Sequence, residues 1–323
     1  MSRWIGLEPV EGPVLVIGPH GSIQQALTRQ GANWASWERL ALDGVPATPW
    51  MPEGQVATAI VSLPKARQAQ RMVVHAAAAR LTTGGVLYLH GHNDEGAKSA
   101  GKPCREVFEV VEAVDSRKHC RLWRCQGVIG EPKGDIDDWQ TTVVADTPHG
   151  PLEWRNWPGL FAHGRLDRGT ALLLSAMPAL GAETRVLDFA CGAGVIAQAL
   201  VQRNPGLRPD LLDVDALAVH AATRNVPEAG HIWLSDGWSA VPRRKWQCIV
   251  SNPPLHGAGI SRDHTVLWAL LEQAGARMTP AAEMWLVTQR NVQLKEPLNE
   301  RFHQVAVVAR DGGFFVWRAS RPR

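Results

Sequence analysis

The sequence predicts an α/β chain of two domains built on parallel sheets. Three observations carry this. Short β-rich runs alternate with helical stretches along the chain, the pattern of a parallel sheet covered by helices. The 323 residues are enough for two domains, at about 100–200 residues each. A polar, turn-prone stretch from Gly134 to Asp138 divides the chain, giving expected domains of residues 1–137 and 138–323.

In the first half, Val14-Leu15-Val16-Ile17 reads as a strand, followed by Gly18-Pro19-His20-Gly21 and a helical stretch. Val56 to Ser62 is β-rich, and Ala66 to Arg80 is helical with alanine packing positions. Gly84-Gly85 is expected to end that helix before a strand from Val86 to His90. Arg117, Lys118, Arg121 and Arg124 form a basic cluster before a glycine turn. With Arg243, Arg244 and Lys245, they are either a solvated face or phosphate contacts, which position a nucleic acid without reading its sequence.

The second half opens with a hairpin, Thr141 to Ala145 and Leu152 to Asn156, around Thr147-Pro148-His149-Gly150. The alternation is then cleaner. Strands are expected at Arg185 to Phe189, Leu211 to Val214, His231 to Leu234, Trp246 to Ser251 and Met284 to Thr288. Helices are expected at Ala193 to Arg203, Ala216 to Asn225 and Arg262 to Met278. Gln304 to Ala309 and Phe314 to Arg318 read as a closing antiparallel pair.

Composition narrows the function classes. Hydrophobic residues at 45% and charged residues at 20% leave a core for each half, and a net charge of +3 excludes a polybasic arm. Cys104, Cys120, Cys125, Cys191 and Cys248 form no Cys-x-x-Cys pair, so no metal site is expected, and the thiols fit a reducing cytoplasm. The N-terminus lacks a basic-then-apolar leader, and no run approaches the roughly 18 apolar residues of a membrane span. A soluble cytoplasmic protein without a membrane partner is expected.

The strongest local signal is Val186-Leu187-Asp188-Phe189-Ala190-Cys191-Gly192-Ala193-Gly194, a buried strand entering a glycine turn and a helix. Glycines let the backbone approach a ligand that a Cβ would meet. The loop alone fits either NAD or S-adenosylmethionine. Three acids decide between them. Asp188 precedes the turn, where a carboxylate suits the ammonium and sulfonium of S-adenosylmethionine and would repel a pyrophosphate. Asp213 ends the next strand, placed for ribose hydroxyls, and Asp236 follows the third, placed for an adenine amino group. Open α/β sheets bind ligands at such strand ends.

The second strong signal is Ser251-Asn252-Pro253-Pro254-Leu255-His256. Two prolines cannot continue a central strand, so they rigidify a turn. A planar amine on guanine or adenine, or an amide nitrogen, is a poor nucleophile because its lone pair is delocalised. The Asn252 side-chain oxygen and the Pro253 carbonyl are placed to accept its two hydrogens. The lone pair then faces an electrophilic methyl, which is catalysis by positioning and electrostatics.

These motifs resemble the "methyltransferase small" family, and within it the 16S ribosomal RNA guanine-N2 methyltransferases with two tandem domains. The matching pieces are Pro158-Gly159-Leu160-Phe161, Leu166-Asp167-Arg168-Gly169-Thr170, the Asp188 to Gly194 loop, Asp213-Val214, and Asn252-Pro253-Pro254-Leu255-His256. The resemblance implies two tandem Rossmann-like class I methyltransferase domains, the N-terminal one degenerate and serving RNA binding and support. It implies cofactor contacts by Phe161, Asp167, Gly169, Thr170, Asp188, Ala190, Gly192, Gly194, Asp213, Val214, Asp236 and Asn252. It implies catalysis at Asn252, Pro253, Pro254, Leu255 and His256. The family has an aromatic residue after the two prolines to stack on the target base, where this chain has Leu255.

The N-terminal half matches the family through Gly91-His92-Asn93, Gly96-Ala97-Lys98-Ser99 and the stretch from Asp115 to Trp123. Val16-Ile17-Gly18 and Ser62-Leu63-Pro64-Lys65 stand where the other half has its acid and its asparagine, so no catalysis is expected there. The implied partner is ribosomal RNA, free or within a small subunit or assembly intermediate, and the implied state is a monomer. Competing readings are a protein glutamine-N5 methyltransferase, a DNA adenine-N6 methyltransferase, and a non-catalytic RNA-binding or assembly module.

Overall fold

The computed structural model describes residues 12–19, 21–147, 149–254 and 263–323. The chain divides into two units. The first runs through Arg39 and resumes from Pro46 to Gln140; the second comprises Leu40–Val45 and Thr141–Arg323. A single boundary at 137/138 does not anticipate the short segment Leu40–Val45, which leaves the first unit and groups with the second.

The first unit runs β1 (Val14–Ile17), α1 (Gly21–Arg29), β2 (Trp34–Trp37), β3 (Val56–Ser62), α2 (Arg67–Ala78), β4 (Leu81–His92), α3 (Gly101–Cys104), β5 (Phe108–Arg117) and β6 (Cys120–Val128). Its sheet has the order β2-β1-β3-β4-β6-β5. The first four strands are parallel, and the closing hairpin is antiparallel. Buried Leu15, Ile17, Ala59, Val61, Leu87 and Leu89 on one face meet Val73, Ala76 and Ala77 of α2.

Two expectations are corrected here. Gly84-Gly85 lies inside β4 rather than ending a helix, and Gly84 takes φ +79 where the β3–β4 register shifts. A glycine inside a strand marks such an irregularity. The basic cluster does not precede a glycine turn; it is itself a hairpin. Lys118 and His119 form the bend at φ 48 and 60, and Arg121 and Arg124 lie on β6.

The second unit runs β7 (Thr141–Thr147), β8 (Gly150–Asn156), α4 (Arg168–Ala176), β9 (Val186–Phe189), α5 (Val195–Arg203), β10 (Asp210–Asp213), α6 (Ala216–Asn225), β11 (Ile232–Leu234), β12 (Trp246–Ser251), α7 (Asp263–Ala274), β13 (Met278–Gln289), α8 (Lys295–Asn299), β14 (Phe302–Asp311) and β15 (Phe314–Pro322). Its sheet has the order β11-β10-β9-β12-β13-β15-β14, parallel as far as β13. Set beside it, the first sheet is the same winding, with no counterpart of β11 among the described residues.

The expected hairpin is β7–β8. It joins neither large sheet, and side-chain amides satisfy its backbone instead. Gln198 and Gln202 of α5 donate to the carbonyls of Glu153 and Pro151 at 2.7 and 3.1 Å. Asn225 at the end of α6 donates to Arg155 O at 2.9 Å and accepts from Arg155 N at 2.8 Å. An unpaired strand edge is costly or adhesive, and these bonds fix Trp154 of β8, with its side chain buried.

Candidate active site

The order of the second sheet reverses direction between β9 and β12. That switch point opens a crevice beyond the strands' carboxyl ends. Ser251 holds the two strands together there, its Oγ donating to Phe189 O at 2.6 Å.

Beyond Phe189, Ala190 takes φ 58, Gly192 φ 55 and Gly194 φ 79 before α5 begins. The two glycines serve different ends. A Cβ on Gly192 would meet nothing within 4 Å, so it faces open space. A Cβ on Gly194 would lie 3.0 Å from Val226 Cγ2 and 3.3 Å from the Ala222 backbone. Gly194 therefore lets α5 pack on α6. Ala190 is the unusual member, since an L-residue in this region is strained by about 1–2 kcal/mol.

Asp213, at the end of β10, accepts from Gly192 N at 2.8 Å and from Asp215 N at 2.9 Å. Asp215 in turn caps α6 by accepting from Leu217 N at 3.0 Å. Burial, with the neighbouring Asp215 carboxylate, pushes the Asp213 carboxyl up to about 6. Asp188 is fully buried on β9. Its Oδ2 accepts from Ala197 N at 3.2 Å, while Oδ1 has no hydrogen-bond partner among the described residues. Burial pushes its carboxyl up to about 7. Asp188 stands behind the glycine loop, where its carboxyl accepts from the first turn of α5.

Asn252 is clamped. Its Nδ2 donates to Asp167 Oδ2 and to Thr170 Oγ1, both at 2.9 Å. Asp167 also caps α4, accepting from Thr170 N at 2.9 Å. With both amide hydrogens committed, Oδ1 is the atom left to accept. Gly169 shapes this corner: a Cβ there would lie 2.9 Å from Asp167 Oδ2 and 3.1 Å from Phe314 Cδ1. The missing side chain is what lets Asp167 and Phe314 close on this corner. Pro253 is buried and Pro254 exposed. Leu255 and His256 lie outside the described residues.

These parts border one cavity of about 460 Å³, within the range of small-molecule sites. Of the expected residues, Phe161, Asp167, Thr170, Ala190 and Gly192 line it. So do Asp213, Val214, Asp236, Asn252 and Pro254. Four acids on the wall, Asp167, Asp213, Asp215 and Asp236, face a single arginine, Arg165. Such a wall suits a cationic ligand. The sequence reading missed Trp154, Leu40, Leu42, Val266 and Ala269. The β8 alternation that buries Leu152 and Trp154 could have found Trp154; nothing local marks the others. Among the described residues, no group of three or more His, Cys, Asp or Glu could hold a metal ion, and no helix is long and apolar enough to cross a membrane.

A switch-point cavity with a glycine loop, acids at three strand ends and a clamped Asn-Pro-Pro turn defines a class I methyltransferase. The chain belongs to the methyltransferase small family: residues 152–318 match the methyltransferase small domain, and 29–142 match its N-terminal domain. It is 36% identical over 275 residues to the ribosomal RNA small subunit methyltransferase C of Ectopseudomonas mendocina, covering 84% of this chain and 81% of that one. It is 32% identical over 329 residues to the protein of that name from Pseudomonas entomophila, covering 97% and 96%. The fold resembles that of a T. thermophilus 16S rRNA N2 methyltransferase solved with AdoMet and guanosine, at TM-score 0.78 and 21% identity, covering 98% of this chain and 89% of that one. The expected pair of tandem methyltransferase-like domains is borne out.

Proposed function

We infer that this chain uses S-adenosylmethionine to methylate the exocyclic N2 amino group of a guanine in small-subunit (16S) rRNA. The observation that carries this is the clamp on Asn252, which commits Nδ2 and leaves Oδ1 as the acceptor of a side chain on the wall of an acidic switch-point cavity. The relatives' names supply the acceptor, as ribosomal RNA of the small subunit.

The cavity fits the cofactor. The open space at Gly192 leaves room for it, and the buried Asp188, with Oδ1 unpartnered, sets a negative charge behind the loop. Asp213 and Asp236 offer acceptors for ribose hydroxyls and an adenine amine, and Asp167 and Phe161 also line the cavity. When bound, S-adenosylmethionine supplies a methyl group made electrophilic by its sulfonium.

The chain's own part is positioning. Asn252 Oδ1 and the Pro253 carbonyl accept the two N–H hydrogens of the guanine amine, turning its lone pair toward the methyl. No covalent enzyme intermediate is required, and the gain comes from orientation and fixed dipoles.

In this reading residues 138–323 carry catalysis, and residues 1–137 are a degenerate copy that binds and supports RNA. The protein acts as a cytoplasmic monomer on rRNA in a small subunit or its assembly intermediate. The test is nucleoside mass spectrometry of 16S rRNA from cells with and without the gene. Loss of one N2-methylguanosine is expected. An unchanged RNA profile would overturn the reading in favour of a protein amide acceptor or a non-catalytic role.

A further inference from the structure

The segment Leu40–Val45 lies between β2 and β3 in sequence, yet it forms part of the second unit. There it lies along the end of β10. Ala41 N donates to Val214 O at 2.9 Å, and Leu40 bridges Asp215 in antiparallel fashion. Leu40 and Leu42 reach the cavity, on the side that holds Asp213 and Val214. Leu40 keeps 40% of its surface exposed, and Leu42 is half-buried. An exposed leucine on a cavity wall has apolar surface still to cover.

The segment is braced by its own backbone hydrogen bonds. Val45 N donates to Leu42 O at 2.9 Å in a single 3-10 turn. The base of the excursion is closed by Thr48 N donating to Glu38 O at 3.1 Å. Its place in the sequence is also informative. In the second unit, α6 and β11 occupy the chain between the second and third strands of the winding; the first unit has this excursion there instead.

The geometry points to Leu40 and Leu42 as the apolar wall that closes over the adenosine end of the cofactor. This rests on the reading of the cavity as an S-adenosylmethionine site. The Asp213 carboxylate fixes which end is meant, because its oxygens suit ribose hydroxyls, and Leu40–Val45 pairs with the two residues that follow it. Only apolar atoms approach from this segment's leucines, which suits the face of a purine and not the charged methionine end. A wall braced by its own hydrogen bonds strengthens binding because little freedom remains to be lost.

The test uses the full chain and calorimetry with two ligands. S-adenosylhomocysteine carries both ends of the cofactor; 5′-methylthioadenosine carries the adenosine end without the amino acid. The Leu40→Ser/Leu42→Ser variant is expected to raise Kd for both ligands by a similar factor of about tenfold, equivalent to about 1.4 kcal/mol. Leu42→Met, which keeps an apolar side chain, is expected to lose less affinity than Leu42→Ala. Leu42→Ala provides a milder change, expected at about threefold, should the double variant fold poorly. Unchanged Kd in both Leu42→Ala and the double variant would overturn the inference. So would a loss confined to S-adenosylhomocysteine, which would place the segment at the methionine end. Failure of the wild-type chain to bind either ligand would overturn the cofactor reading itself, and this inference with it.

Discussion

Asn252 and Asp167 are 85 positions apart in the chain, and their side chains meet at 2.9 Å, amide nitrogen to carboxylate oxygen. Asp167 is thereby two things at once, the cap of α4 and the orienting partner of Asn252. A free asparagine amide can present either its nitrogen or its oxygen. This contact, with that of Thr170 Oγ1, settles the choice in favour of the oxygen.

Substituting Asp167 by Ala should therefore lower kcat more than it raises the KM for RNA. A misplaced positioning group costs up to about 10²-fold, and a loss of that order in single-turnover rate is expected. Thr170→Val removes one of the two acceptors and should give a smaller loss in the same direction. Rates within twofold of wild type in both variants would show that Asn252 is oriented by other means.

Asn252→Ala removes the proposed acceptor itself. Methyl transfer should fall by on the order of 10²–10³-fold, the usual effect of deleting one preorganised polar group. S-adenosylhomocysteine affinity should stay near the wild-type value, because the main cofactor acids lie on other strand ends. Turnover and calorimetry on the same preparation separate the two effects.

The elements of the second unit were legible to the degree that their signals were local. The expected helix Ala216 to Asn225 has the observed bounds of α6, and the structure shows the cap that starts it, Asp215 accepting from Leu217 N. Strand β2 was not legible, because Trp34–Trp37 is only four residues long and only Trp37 is buried. Most of β5 is exposed, so it shows no apolar alternation to read. At the site, Asn252 and Asp213 were legible from motif and strand end. The Asp167–Asn252 contact was not, since it joins distant stretches through tertiary packing. Nor was the path of Leu40–Val45, or the burial of Asp188 behind its loop, because neither leaves a pattern in neighbouring residues.

The acids of the loop make stability depend on pH. Burial raises Asp188 from 3.8 to about 7 and Asp213 from 3.8 to about 6. Between pH 4 and 7 the folded chain keeps protons that the unfolded chain has released, so stability from these groups falls as pH rises through that window. Asp188→Asn keeps an oxygen for the Ala197 N–H and removes the charge. Its Tm without cofactor should exceed that of wild type at pH 8, and the gap should close by about pH 4. A gap of constant size across that range would rule out titration as its cause. Cofactor affinity in wild type should rise over the same window, because the ligand needs these groups as carboxylates.

Ala190 occupies the left-handed region at φ 58 with a side chain that disfavours it. Glycine would remove a strain of about 1–2 kcal/mol and would cost about 0.5–1 kcal/mol in unfolded-chain entropy. Ala190→Gly should therefore stabilise the protein by roughly 1 kcal/mol or less. Urea denaturation should show a higher midpoint with an unchanged slope. A lower midpoint would mean that the alanine methyl packs well enough to offset the strain.

Cofactor stoichiometry tests the difference between the two units. In the first, Val16 takes the place in β1 that Asp188 holds in β9, and it is completely buried among apolar neighbours. Leu63 stands where the second unit has Asn252, and it too is buried in the core. The turn that follows is held differently: Gln70 Nε2 donates to Pro64 O at 2.8 Å, so this carbonyl already serves the fold. Among the described residues, the first sheet also has no strand corresponding to β11, and so no position like that of Asp236 in the second. An acid for the ligand's positive charge, an acceptor for its adenine and an asparagine for the target amine are thus all missing from the first winding. Calorimetry with S-adenosylhomocysteine should give about one site per chain, and Asp213→Ala should abolish it. Two equivalent sites, or one that survives Asp213→Ala, would show that the first unit binds the cofactor through residues other than those its strand ends supply.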